Sequence, residues 1–163
     1  MMKSVAICFV CLGNICRSPT AEGVMRHQIA AAGLDGVITV DSAGTGDWHV
    51  GEPPDARAQQ AAGLRGYDLS KLRARQIGPA DFERFDLVLA MDAANLAELQ
   101  KRCPPQYRGK VRLLMEYAGD GAPREIADPY FGGSRGFEQV LDQCEDACRG
   151  LLGSLCAGVP HRH

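Results

Sequence analysis

The chain is predicted to be an α/β protein: a single-domain, three-layer sandwich with a four-stranded parallel sheet, in the order 2-1-3-4, flanked by helices on both faces. Three observations lead there. Residues 4–11 (SVAICFVC) are almost continuously apolar, as in a strand covered on both sides. Further apolar runs at residues 37–40, 87–91 and 111–115 alternate with helical stretches. Such alternation implies right-handed βαβ units around a parallel sheet. With 163 residues, 45% of them apolar and 23% charged, the chain has an ordinary globular composition. Residues 1–163 are read as one domain, long enough to bury about 70% of its unfolded surface.

The elements follow in order. After the first strand, Ser18 and Pro19 supply an N-cap and a first-turn proline for a helix running to about Ala32. Gly33 ends it as a C′ glycine. Residues 37–40 (VITV) make the second strand, and the loop SAGTGDWHVGEPPD follows. Asp55 caps a helix rich in Ala and Gln over residues 55–63. The third strand is LVLAM, residues 87–91; Asp92 caps the next helix, through about Lys101, which Pro104 and Pro105 terminate. Residues 111–115 are the fourth strand, and a polar, glycine-rich loop covers 118–136. In the last helix Phe137, Val140, Leu141, Cys144, Cys148, Leu151, Leu152 and Leu155 share one stripe of 3.6-residue period. Residues 157–163 are expected to fray.

Composition excludes several classes. Lys plus Arg number 18 and Asp plus Glu 20, a net charge of −2. That balance argues against a general attraction to nucleic acid or to anionic membrane. No apolar run is long enough to span a bilayer. Seven cysteines are an odd number with no repeated C-x-x-C pair, so neither a disulfide scaffold nor a structural zinc site is expected. They read as reduced thiols of a cytoplasmic protein. His27 and His49 have no second ligand at suitable spacing, and neither metal nor organic cofactor is expected.

The informative segment is Cys11-Leu12-Gly13-Asn14-Ile15-Cys16-Arg17-Ser18-Pro19, between the first strand and the first helix. In open α/β sheets ligands bind outside the carboxyl ends of the strands, and helix N-termini favour anions. Gly13 permits a positive φ and Asn14 tolerates one, so the loop can curl into a nest of amides around phosphate or another oxyanion. Arg17 adds a planar fork for two of its oxygens. Cys11 then lies beneath the bound phosphorus, in positive surroundings that favour a thiolate, with the Ser18 hydroxyl close in sequence. A nucleophile inside an anion cradle suits covalent phosphoryl transfer. The bland alternative, a buried strand cysteine and a surface arginine, fits less well with the placement between a strand and a capped helix. No G-x-x-x-x-G-K-[ST] is present, which excludes a Walker-type nucleotide loop.

The segment CLGNICRSPTAE (11–22), with DSAGT (41–45), WHVGEPPDARA (48–58), RARQI (73–77), FDLVLAMDAANL (85–96) and DPYFGG (128–133) in that order, closely resembles the low-molecular-weight protein tyrosine phosphatases. The resemblance covers nearly the whole chain. It implies Cys11 as nucleophile, Arg17 as phosphate clamp, Ser18 as thiolate stabiliser and Asp128 as general acid. Asp128, followed by Pro129 and the aromatic Tyr130 and Phe131, fits the need to protonate a phenolate leaving group. The resemblance also places Asn14 and Ser42 in a hydrogen-bonded shell holding the phosphate loop. Many relatives carry His where this chain has Leu72, so a looser Asn14 contact is expected, without loss of activity.

The implied reaction is hydrolysis of protein phosphotyrosine through a phosphocysteine. Ile15 stands where relatives resembling arginine phosphatases carry Thr, and its apolar side chain favours an aromatic ring over phosphoarginine. Leu12, Gly13, Asn14, Ile15, Cys16 and Ser18 are expected around the substrate, with Trp48, Tyr130 and Phe131 walling a deep cleft. The alternatives on the same fold are a phosphoarginine phosphatase and an arsenate reductase. The latter needs a cysteine relay, whereas Cys144 and Cys148 sit on the core stripe and Cys103 is isolated. A dead phosphotyrosine-binding module would not need both Cys11 and Asp128. Cys16 reads as a resolving thiol that traps oxidised Cys11, as in family members with the same second cysteine. The partner implied is a phosphotyrosine protein, in bacterial relatives often a tyrosine kinase.

Overall fold

The computed structural model describes residues 3–130 and 132–157. Four parallel strands, β1 (Val5–Cys11), β2 (Ile38–Gly44), β3 (Leu87–Ala90) and β4 (Val111–Leu113), lie in the order β2-β1-β3-β4. The expected topology is therefore found. Strand β1 is central because residues 7–11 are apolar and almost fully buried, leaving neither face for water.

Among the described residues the five α-helices are α1 (Arg17–Ala31), α2 (Ala56–Leu64), α3 (Pro79–Arg84), α4 (Ala93–Arg102) and α5 (Ser134–Cys156). Alternate β1 residues feed two cores. Ile7 and Phe9 meet α1 and α5 through Val24, Met25, Leu141 and Cys148 on one face. Cys8 and Val10 meet Phe82 of α3 and Leu99 of α4 on the other. Each large side chain sealed in this way contributes about 1.5–3 kcal/mol of transfer free energy. On α5 the stripe is buried from Phe137 to Leu151, and Leu152 and Leu155 are half-buried.

Several boundaries differ from expectation. Strand β2 runs on through Asp41, Ser42, Ala43 and Gly44, which pair with residues 8–11 of β1. These polar and small residues hide a strand because they serve the site. Strand β4 stops at Leu113, where a 3₁₀ turn takes over residues 114–117. The short α3, started by Pro79, falls in a stretch left unassigned by periodicity. Gly33 does end α1: at φ 72° it places its own N–H on Ala30 and that of Leu34 on Ile29, a Schellman turn. The expected frayed tail lies, from residue 158 on, outside the described residues.

In this strand order the chain leaves β1 in one direction and reaches β3 in the other. The crevice outside their carboxyl ends is where such sheets bind ligands. Cys11 is the last residue of β1 and Asp92 follows β3, so both open onto that crevice.

Candidate active site

The loop after β1 turns its carbonyls outward. Those of Cys11, Leu12 and Ile15 accept from the amides of Thr45, Gly46 and Asp55 at 2.8–2.9 Å. The amides of residues 13–17 have no acceptor among the described residues. Unspent donors on one side and satisfied acceptors on the other make an anion nest. The turn depends on Asn14, the sole non-glycine at positive φ (59°) among the described residues. Gly13, expected to share that conformation, does not adopt it. Gly44 is needed beneath the loop: a Cβ there would stand 2.8 Å from Leu12 O and 3.2 Å from Asn14 N.

Donors converge on Cys11 Sγ at the floor of this nest. The Ser18 N–H lies 3.4 Å away and the Ser18 hydroxyl 3.0 Å. Helix α1 begins at Arg17, with Cys16 at its N-cap, so the expectation of Ser18 as N-cap is corrected. Its hydroxyl is withdrawn from capping and spent on sulfur. Asn14 Nδ2 donates to Ser18 Oγ (2.7 Å) and to Ser42 Oγ (3.0 Å), and Ser42 in turn donates to Glu22 (2.7 Å). With Asn14 as donor, the Ser18 proton is left for Sγ or for Ala43 O, and the latter is farther, at 3.4 Å. Asn14 Oδ1 accepts the Arg75 N–H at 2.9 Å. The looser Asn14 contact expected from Leu72 is therefore not found. Leu72 packs half-buried against the core, and Asn14 is fully engaged without it.

Arg17 is buried with its fork divided. Nη1 donates to Asp92 (2.7 Å) and to Ile126 O (2.8 Å), which fixes the plane. Nε is buried with no acceptor among the described residues, and Nη2 lies 3.8 Å from Asp128. Nε and Nη2 are thus left for a tetrahedral oxyanion. Burial opposes the charge, but the negative field of Cys11, Asp92 and Asp128 outweighs it, and the Arg17 pKa is raised.

Above the nest is a cavity of about 160 Å³, lined by Leu12, Ile15, Trp48, His49, Asp128 and Tyr130, with Cys11 and Arg17 below. A cavity of ~150 Å³ holds one benzene ring. Trp48 is 67% exposed, so it walls the cleft and does not pack inward. Asp128 faces the cavity with Oδ1 accepting the Tyr130 N–H (3.1 Å), Pro129 behind it is buried, and Phe131 lies outside the described residues.

A family model described as low molecular weight phosphotyrosine protein phosphatase matches residues 6–160. The chain belongs to that family. The low molecular weight phosphotyrosine protein phosphatase of Schizosaccharomyces pombe is 43% identical over 95% of this chain and 99% of its own length. A protein tyrosine phosphatase from Entamoeba histolytica, solved with Hepes in the active site, superposes with a TM-score of 0.92 at 41% identity, covering 95% and 99% of the two chains. A Drosophila arginine phosphatase superposes at 0.84 with 37% identity, covering 90% and 95%. Among phosphatases of this fold, the shared scaffold thus leaves the phosphoryl donor to be decided by side chains at the cleft.

Sequence reasoning missed several groups at this candidate site. Asp92, expected only as a helix cap, also holds Arg17. His49 lines the cleft beside Gly13, and Glu22 and Arg75 anchor the ends of the Asn14 network. Only their clustering within the quoted motifs marked them. All seven cysteines are free. Cys144 and Cys148 are sealed in the core, and burial pushes both thiols up, Cys144 being further raised by Glu145. Cys16 is buried in the loop and raised in the same way, with Asp55 and Cys11 adding to the effect. Among the described residues no helix is long and apolar enough to cross a membrane, and no cluster of His, Cys, Asp and Glu is placed to hold a metal.

Proposed function

We propose that the protein hydrolyses phosphotyrosine in proteins through a phosphocysteine, with Cys11, Arg17 and Asp128 as its catalytic residues. The observation that carries this is the convergence, in one ring-sized cavity, of Cys11 Sγ, the free edge of Arg17 and the Asp128 carboxyl. In the first step Cys11 Sγ forms a bond to phosphorus while the bond to the tyrosyl oxygen breaks. Arg17 and the loop amides hold the three remaining oxygens. Asp128 gives its proton to the departing oxygen. In the second step the Asp128 carboxylate takes a proton from water, whose oxygen attacks phosphorus as the S–P bond breaks. Ser18 then stabilises the expelled thiolate.

The apolar Ile15, with Trp48 and Tyr130, favours an aryl phosphate over phosphoarginine. The sealed positions of Cys144 and Cys148 leave no thiol relay from the core for arsenate reduction. The proposed setting is a single domain in the reducing cytoplasm, which seven free thiols fit. The proposed partner is a tyrosine-phosphorylated protein, specifically an autophosphorylating bacterial tyrosine kinase, and loss of its phosphotyrosine signal on incubation is the check. Cys16 is proposed to trap Cys11 sulfenic acid as a disulfide, releasing water; peptide mapping after mild peroxide tests for the Cys11–Cys16 link. The deciding assay compares phosphotyrosine, phosphoarginine, and arsenate with a thiol reductant. Turnover of phosphotyrosine alone, abolished by Cys11→Ser, is expected; preference for either other substrate overturns the reading.

A further inference from the structure

Arg57 takes no part in the chemistry above, yet it touches both halves of the site. From the first turn of α2, its Nε and Nη2 each reach one carboxylate oxygen of Asp55, at 3.0 Å. Nη2 also donates to Tyr130 O at 2.9 Å, 73 residues away in sequence. The guanidinium lies 4.9 Å from the centre of the Phe137 ring, at the start of α5, and 5.5 Å from that of Tyr130. Asp55 meanwhile donates its own N–H to Ile15 O of the phosphate loop at 2.8 Å. The residue pair therefore spans from the loop that carries Cys11 to the loop that carries Asp128.

Capping α2 does not require this span. The cap is complete when Asp55 Oδ1 accepts the Arg57 N–H, at 2.8 Å. The extra bond grips Tyr130 at its carbonyl while Asp128 Oδ1 holds the N–H of the same residue. The Asp128 side chain is 39% exposed, and its ion pair to Arg17 is long, at 3.8 Å. A carboxyl so placed needs its backbone fixed from elsewhere, and a planar fork making three bonds at once does this where a lysine ammonium would not.

We propose that Arg57 is a positioning residue: through Asp55 and Tyr130 it sets the distance between the phosphate loop and the acid loop, so that Asp128 reaches the leaving oxygen. This rests on the phosphotyrosine hydrolysis proposed above. The test measures kcat/KM for phosphotyrosine and for an activated aryl phosphate (4-nitrophenyl phosphate) in wild type, Arg57→Ala, Arg57→Lys, Asp128→Ala and the Arg57→Ala/Asp128→Ala double variant.

General acids contribute about 10²–10⁴-fold, so a misplaced one is expected to cost phosphotyrosine about tenfold in Arg57→Ala and the activated ester less than about twofold. Arg57→Lys, which keeps the charge, is expected to restore little. In the Asp128→Ala background Arg57→Ala should cost less than about twofold more, because the two act through one group. Equal losses on both substrates, or losses that multiply in the double variant, would reduce Arg57 to a helix support and overturn the proposal. Should Arg57→Ala melt far below wild type, the Lys variant carries the same comparison. A wild type inactive on both esters overturns the parent reading instead, which separates the two failures.

Discussion

Arg17 Nη1 and Asp92 Oδ2 stand 2.7 Å apart, and this pair ties the first residue of α1 to the N-cap of α4, just beyond β3. Asp92 has a second task, since its Oδ1 accepts the Asn95 N–H at the start of α4. The two tasks are separable. Asn is as good an N-cap as Asp but brings no charge to Arg17. Asp92→Asn is expected to lower kcat/KM about tenfold and to leave the melting temperature near that of wild type. Asp92→Ala should also lose the cap, about 1 kcal/mol, which lowers the melting temperature by about 2–4 °C. Thermal melts beside steady-state kinetics check this; an Asp92→Asn enzyme as active as wild type would count against the pairing.

Asp128→Ala tests the proposed acid role through the leaving group. Its kcat/KM for phosphotyrosine is expected to fall by about 10²-fold or more, and that for an activated aryl phosphate far less. A series of aryl phosphates of graded leaving-group acidity measures it. Equal losses throughout would remove Asp128 from the acid role.

Ser18→Ala removes the hydroxyl 3.0 Å from Cys11 Sγ and strands one Asn14 Nδ2 proton. Both steps of the reaction pass through a charged sulfur, so kcat should fall by about 10²-fold, as when one donor is removed from an oxyanion hole. Rapid-quench trapping of phosphoenzyme would locate the loss; turnover within twofold of wild type would contradict it.

Gly44→Ala drives a methyl into main chain, which cannot swing aside. A stability loss of about 1–3 kcal/mol is expected. Phosphate affinity should fall further than this loss alone implies, because the clash falls on Leu12 and Asn14. Denaturant titration and phosphate inhibition together test the claim. An inhibition constant unchanged from wild type would refute it.

Glu22 predicts a pH dependence of stability. Burial raises its carboxyl above the ordinary 4.5, against the opposing bonds from Ser42 and Arg26. Because the folded value exceeds the unfolded one, its stabilising contribution is full below about pH 4.5 and is lost as pH climbs through the folded value. Glu22→Gln lacks that titration and keeps an acceptor for Ser42. The stability of wild type relative to the variant should therefore drop as pH rises from 4 and then level off, as read by melts across that range. A difference that grows with pH would reverse the sign and exclude the account.

The strand–loop–helix unit around Cys11 was legible because a long apolar run, a left-handed Asn and a short motif coincide within a dozen residues. The caps at Asp55 and Asp92 were legible from local chemistry. What stayed hidden has a common cause. The second half of β2 is polar because Ser42 faces Asn14 and Gly44 lies under Leu12, so site geometry overrode strand composition. Helix α3 shows one buried aromatic, Phe82, in six residues, too little for a period to emerge. The contacts of Arg17 with Asp92 and of Arg57 with Tyr130 join residues more than seventy positions apart, which no local pattern encodes.

Helix α1 is nearly all interior from Arg17 to Met25, whereas Arg26, His27, Ala30 and Ala31 face solvent. Its opening turns thus belong to the proposed reaction centre and its closing turns to ordinary surface. A saturation library across this one helix should record a steep slope of tolerance, with almost every substitution purged at the beginning and most accepted at the end.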